Sequence, residues 1–370
     1  MCTKIWILLV LSSVACSTAV PVTPTLLATM AATKAPKTFT IQMLMPRAAH
    51  SATRLADGRV LLAGGFRGGE EVVTENELFD PRQDRFLPIG RMQNPRVGHT
   101  ATLLNDGSVL IVGGWSNSQR VDSVEMFDPR ANKFQLIERL NAPRADHTAT
   151  LMADGRVLIV GGFSASNAPQ PKAEIFDPTT KTFRIVGSLA TARSGHTATL
   201  LTNRKVLIVG GTTKDDGVTA SAELFDPMSE TFMKTGDLSV RRRKHAAVLL
   251  KNNKVMIVGG TDERDWSNPY GTTDIYDVAT QRFVPGPALQ ETRFKLQDAA
   301  LMLPSGNALI AGGDAVIEVF DANANQFIRT GALDKDYFFS TATLLEDGRV
   351  LIAGGYDRRI QATQQAWLYK

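Results

Sequence analysis

Arg96-Val97-Gly98-His99-Thr100-Ala101-Thr102-Leu103-Leu104-Asn105-Asp106-Gly107-Ser108-Val109-Leu110-Ile111-Val112-Gly113-Gly114 is the stretch on which the fold turns. Its small and hydroxylated residues, Thr100 to Leu104, read as a first strand. Asp106-Gly107 supplies the positive φ angles of a tight hairpin turn. Val109 to Val112 is apolar on both faces, so both faces must be covered. Further on, Val124-Glu125-Met126-Phe127 reads as a third strand stopped by Asp128-Pro129, where proline cannot donate to a ladder. Lys133-Phe134-Gln135-Leu136 reads as a fourth strand.

The double glycine closes such an apolar run seven times, at Gly64, Gly113, Gly161, Gly210, Gly259, Gly312 and Gly354, with spacings of 49, 48, 49, 49, 53 and 42 residues. A period near fifty with four short strands per unit predicts a β-propeller of seven four-stranded antiparallel blades. Each blade covers its neighbour's apolar second strand. The seventh unit ends at Ala366-Trp367-Leu368-Tyr369 without a fourth strand, whereas Thr38-Phe39-Thr40-Ile41 is an orphan that matches Thr182-Phe183-Arg184-Ile185. The N-terminal strand is therefore expected to complete the last blade and remove the open edge. One all-β domain over residues 38–370 follows. Small first-strand residues are read as a packing requirement near the crowded axis.

Residues 1–19 read as a signal peptide, with Lys4 ahead of the apolar run Ile5 to Leu11, which is too short to span a bilayer. Cleavage after Ser17-Thr18-Ala19 would release a soluble chain. Ser13-Val14-Ala15-Cys16 offers a second reading, a lipobox that makes Cys16 a candidate lipidation site and membrane anchor. Residues 20–37, rich in Thr, Pro and Ala, read as a flexible tether. Export to the periplasm, the cell envelope or the medium is the expectation. Both cysteines, Cys2 and Cys16, fall in the first segment, so the propeller has no thiol chemistry. A net charge of +4 and a pI near 9.0 are too mild to argue for nucleic acid, and the single basic run Arg241-Arg242-Arg243-Lys244 is read as a solvated strand entrance.

Pro-Arg-x-x-His, the Asp-Gly turn, the apolar run ending in Gly-Gly, Glu-x-Phe-Asp-Pro and a late Phe together resemble kelch repeats of the bacterial, galactose-oxidase central-domain type, over residues 39–370. That resemblance implies a propeller but no one activity, because such propellers include enzymes, glycan binders and protein-interaction modules. Galactose oxidase needs a cysteine-linked tyrosine and two histidines on copper, and that set cannot be carried over here. All five histidines, His50, His99, His147, His196 and His245, occupy one repeat position, and Asp298 and Ser340 stand there in units six and seven. They are read as strand anchors, since equivalent positions on neighbouring blades are about 10 Å apart and ligands of one metal must lie about 2 Å from it. No metal or cofactor is expected.

Arg47, Arg96, Arg144, Arg193 and Arg242 also recur, with Lys295 and Tyr337 in units six and seven, and third-strand acids recur as Glu77, Glu125, Glu174, Glu223, Asp274 and Glu318, with Ala366 in unit seven. These groups are expected to pair; a cationic ring at the channel mouth is the rival. Function is sought where the repeat varies. Phe66, Trp115, Phe163, Thr212, Thr261, Asp314 and Tyr356 follow the double glycines, and Ala49, Gly98, Asp146, Gly195, Lys244, Gln297 and Phe339 precede the histidine position. Both sets fall on one face of the ring. The expected binding residues are Phe66, Trp115, Phe163 and Tyr356 as an aromatic arc, Asp146, Lys244 and Asp314 as charges, and Trp266 and Tyr270 on the longest loop. Aromatics beside charges suit a glycan or a protein partner bound by a monomeric, non-catalytic scaffold. Aromatics that merely plug the channel are an equal reading. A small-sugar isomerase or mutarotase, similar to sialic acid mutarotases and using Asp146, Lys244 and Asp314, is the alternative.

Overall fold

The computed structural model describes residues 38–68, 71–116 and 119–370, so the signal-peptide, Cys16 and tether readings lie outside the described residues. Seven four-stranded antiparallel sheets follow one another around the chain. Blade 3 shows the pattern: Thr148–Leu151 innermost, then Val157–Val160, Lys172–Asp177 and Thr182–Ser188 at the rim. Thr38–Gln42 is the outermost strand of blade 7, paired with Gln365–Tyr369 from Thr38 opposite Tyr369 to Gln42 opposite Gln365. The ring is closed as the orphan strand predicts. Among the described residues, no helix is long and apolar enough to cross a membrane.

The core lies between blades. Leu61, Ala63 and Leu78 of blade 1 pack against Val109, Ile111 and Phe127 of blade 2, all buried. Full burial of each of these side chains other than Ala63 contributes about 1.5–3 kcal/mol. The double glycine has a geometric cause. Gly113 and Gly114 have φ of 59° and 101°, and a Cβ on Gly113 would sit 2.5 Å from the carbonyl oxygen of Arg144 in the next blade. That close approach lets the Gly114 N–H donate to the same carbonyl at 2.8 Å. The bond recurs at every junction, and Gly355 N–H to Arg47 O, at 2.9 Å, closes the ring.

The arginines turn into the blades. Arg96 and Glu125 are fully buried at 2.9 Å, and Arg47–Glu77, Arg144–Glu174, Arg193–Glu223 and Arg242–Asp274 repeat the pair. Each arginine also donates to a double-glycine carbonyl, as Arg96 does to Gly113 at 2.9 Å. Each acid accepts at least one backbone N–H of the segment entering the blade, and Glu125 accepts two, from Gln93 and Asn94. Pairing is thus observed, and the cationic ring is not formed.

Two assignments change. In blade 6 the arginine is Arg293, 2.5 Å from Glu318, and not Lys295. Arg293 precedes Ala299, which is bonded to Ala311 as Ala246 is paired with Val258, by two residues more than Arg242 precedes Ala246, which shifts any count made from the strand. In blade 7 the acid position, opposite Ile352, is Trp367 and not Ala366. Tyr337 packs on Trp367 with ring centroids 4.9 Å apart, so an aromatic pair replaces the ion pair.

Candidate functional site: the channel mouth

Five histidines tie neighbouring blades. His99 reaches the Ser51 hydroxyl at 2.9 Å, His147 Thr100, His196 Thr148, His245 Thr197, and His50 closes back on Thr341. Burial, the largest influence, holds these imidazoles neutral: His99 and His196 fall to about 3 and the others well below the usual range. At the two junctions around blade 6 both partners are gone together. Leu296 takes the histidine's place against Gly259, and the preceding first strand offers Ala246; at the next junction Ser340 faces Ala299. Asp298 is therefore not a histidine substitute: it belongs to the two-residue insertion Gln297-Asp298.

The small first-strand residues do not fill the axis. They border an open cavity of about 710 Å³, walled by residues such as Ala52, Ala101, Thr148, Thr197 and Ala247. This corrects the packing reading: small side chains leave a channel. At one mouth a chain of backbone hydrogen bonds runs from blade to blade through left-handed residues: Asp146 N–H to Gly98 O, Gly195 to Asp146, Lys244 to Gly195, Phe339 to Lys295 and Ala49 to Phe339. Blade 6 thus places Lys295, not Gln297, on the mouth ring.

Phe66, Trp115, Asp146, Asp298 and Phe339 line the cavity at this end. The Arg120 guanidinium stacks 3.4 Å from the Trp115 ring centroid and lies 5.8 Å from Phe163. Burial raises the Asp146 carboxyl; Lys244, a hydrogen bond from the Trp115 indole, and Arg120 oppose that rise. Tyr356 and Phe66 meet at 5.6 Å, but in a second group, with Trp266 against Phe294 and Phe338. The aromatic arc is therefore split in two.

Lys295 sits inside the second group, buried, with Nζ 3.7 Å from the Trp266 ring centroid and donating to the Tyr356 hydroxyl at 2.7 Å. Asp265, on the loop tip, accepts from Lys244 at 2.7 Å and lies 3.6 Å from Arg243 and 3.9 Å from Lys295. Burial, then repulsion by Lys244, lowers Lys295 to about 7, with Asp265 opposing. Because the folded state holds this proton less tightly than the unfolded chain, stability attributable to Lys295 is expected to rise between pH 7 and 10.5, by up to about 1.4 kcal/mol per pH unit. Melting of Lys295→Met beside the parent at pH 6.5 and pH 9.5 checks this: the variant's advantage should shrink at the higher pH.

Two expected binding residues lie elsewhere. Asp314 accepts the Val316 N–H at 2.8 Å and shapes its own short loop. Tyr270 packs its ring 5.6 Å from the Arg242 guanidinium. Sequence reading missed Arg120, Asp265 and the place of Lys295. The 53-residue spacing was the available signal: its four extra residues divide between the loop after Gly260 and the insertion after Leu296.

The comparisons agree with this architecture. Residues 25–211 match the family described as KLHDC2/KLHL20/DRC7 Kelch-repeats domain, and residues 242–290 match the Kelch motif. No curated protein matches. Among solved structures, the chain is similar to a novel fungal alcohol oxidase with catalytic diversity among the AA5 family, in complex with copper, at TM-score 0.74 and 14% identity, covering 91% of this chain and 76% of that one. A likeness at that identity shows the fold alone. The residues do not fit a copper centre: the histidines stand one per blade with Nε2 held by a hydroxyl, and among the described residues no three His, Cys, Asp or Glu side chains converge. The first match spans half the chain, and together with the seven blades it shows that this protein belongs to the kelch-repeat family of β-propellers.

Proposed function

We propose that this chain is an exported, monomeric, non-catalytic binding scaffold that takes a small glycan, or the end of a larger one, at the channel mouth. Export rests on the apolar run Ile5 to Leu11. The observation that carries the binding reading is the cavity. At about 710 Å³ it falls in the size range of ligand pockets, and its wall mixes aromatic faces, Phe66, Trp115 and Phe339, with hydroxyls and carboxylates. Sugars present apolar ring faces and a girdle of hydroxyls, which such a wall matches. Trp115 is held in place by Arg120 and by Asp146, so little ordering is required on binding.

A glycan array followed by isothermal titration tests this. Trp115→Ala is expected to weaken the bound sugar by about 2 kcal/mol, roughly thirty-fold, in a variant that still melts cooperatively. A protein that retains no sugar contradicts the reading and directs the search to a protein partner.

A further inference from the structure

The chain is basic overall, yet the cavity is not. Among its lining residues the charged ones are Asp146 and Asp298, and no lysine or arginine is present. Of the nearby cations, Arg120 stacks on Trp115 and acts with Lys244 on Asp146, and the others are engaged elsewhere. The repeat arginines are locked onto acids inside the blades, and Lys244, Arg243 and Lys295 gather on Asp265. The histidines that line the same cavity are neutral, and buried Nδ1 atoms of His50, His147, His196 and His245 have no hydrogen-bond partner. Asp298 stands out further. It comes from the insertion found only in blade 6, its backbone is left-handed at φ 61°, and its side chain is exposed to the cavity. The protein packed around the channel raises its carboxyl, open to the cavity as it is, with no neighbouring cation opposing. A low-dielectric cleft lined by charge of one sign concentrates ligands of the other.

We propose that the ligand of the channel mouth is a sugar bearing a protonated amine, with Asp298 and Asp146 as its carboxylate partners. This rests on the glycan reading above. The amine would give Asp298, which has no paired cation, a charge-assisted hydrogen bond, while Trp115 and Phe66 meet the sugar ring. Binding should weaken as the pH falls, because a protonated Asp298 offers no charge.

The test is isothermal titration of the intact protein at neutral pH with the β-1,4-linked disaccharide of glucosamine and, separately, its di-N-acetylated counterpart. The amine form is expected to bind at least ten-fold tighter, and Asp298→Asn to reduce that preference at least ten-fold. Asparagine tolerates the left-handed backbone, so the variant should melt at or above the parent temperature. Equal or tighter binding of the acetylated sugar overturns the amine inference and leaves the glycan reading standing. A preference that survives in both Asp298→Asn and Asp146→Asn also overturns it. Binding of neither sugar overturns the amine inference, and the glycan reading falls with it only when the glycan array also retains no sugar.

Discussion

Glu125→Ala is expected to lower stability by about 3–5 kcal/mol, because it strands the Arg96 guanidinium in an interior from which water is excluded. The loss goes beyond one ion pair. Glu125 also accepts the Gln93 and Asn94 N–H groups, at 2.8 and 3.0 Å, and so fixes the path by which the chain enters blade 2. Equilibrium denaturation in urea reads the change; a loss under about 1 kcal/mol would contradict the pairing account. Replacing both partners together should cost much less, as in Arg96→Met with Glu125→Leu, since two apolar side chains leave no buried charge. The protein already contains such an exchange in blade 7, where Tyr337 and Trp367 pack in place of the pair.

Removal of residues 1–42 is expected to be the second large effect. The strand Thr38–Gln42 hydrogen-bonds along the whole of Gln365–Tyr369. At a net worth of about 0.5–1.5 kcal/mol per ladder bond, its loss should cost roughly 3–6 kcal/mol, a large share of the stability of an ordinary domain. The exposed strand is apolar at Trp367 and Leu368, which invites pairing with another chain. Size-exclusion chromatography and melting check this. A truncated protein that stays monomeric and melts like the parent would show that the closure is dispensable.

The fold was legible because one physical problem recurs seven times. Each blade needs an apolar second strand covered on both faces, a turn of Asp-Gly type, and a glycine where the next blade's carbonyl comes within contact distance, and these demands leave a visible period. The site was less legible because it lies where the period breaks. Counting from the strand put Lys295 in the arginine's place, and the inter-blade hydrogen bond to the Arg293 carbonyl and the ion pair with Glu318 fix the register. The joint loss of histidine and hydroxyl at Leu296 and Ala246 is a contact between blades, far apart in sequence. Aromatics in equivalent positions looked like one arc, yet Trp115 is drawn to Arg120 and Tyr356 to Lys295 by cations that a repeat alignment does not place together.

Sugar binding by Gly195→Phe tests the channel-mouth account most directly. Gly195 lies on the mouth ring with φ 57°, and a Cβ there meets nothing within 4 Å, so an added side chain has room. Phe339 holds the equivalent place in blade 7 with φ 53°, so the backbone accepts a phenylalanine in this conformation. If the ligand enters the channel, this second phenylalanine across the mouth should abolish binding in isothermal titration while the fold is retained at a cost of about 1–2 kcal/mol of left-handed backbone strain. Undiminished affinity in a normally folded variant would place the ligand elsewhere and contradict the account.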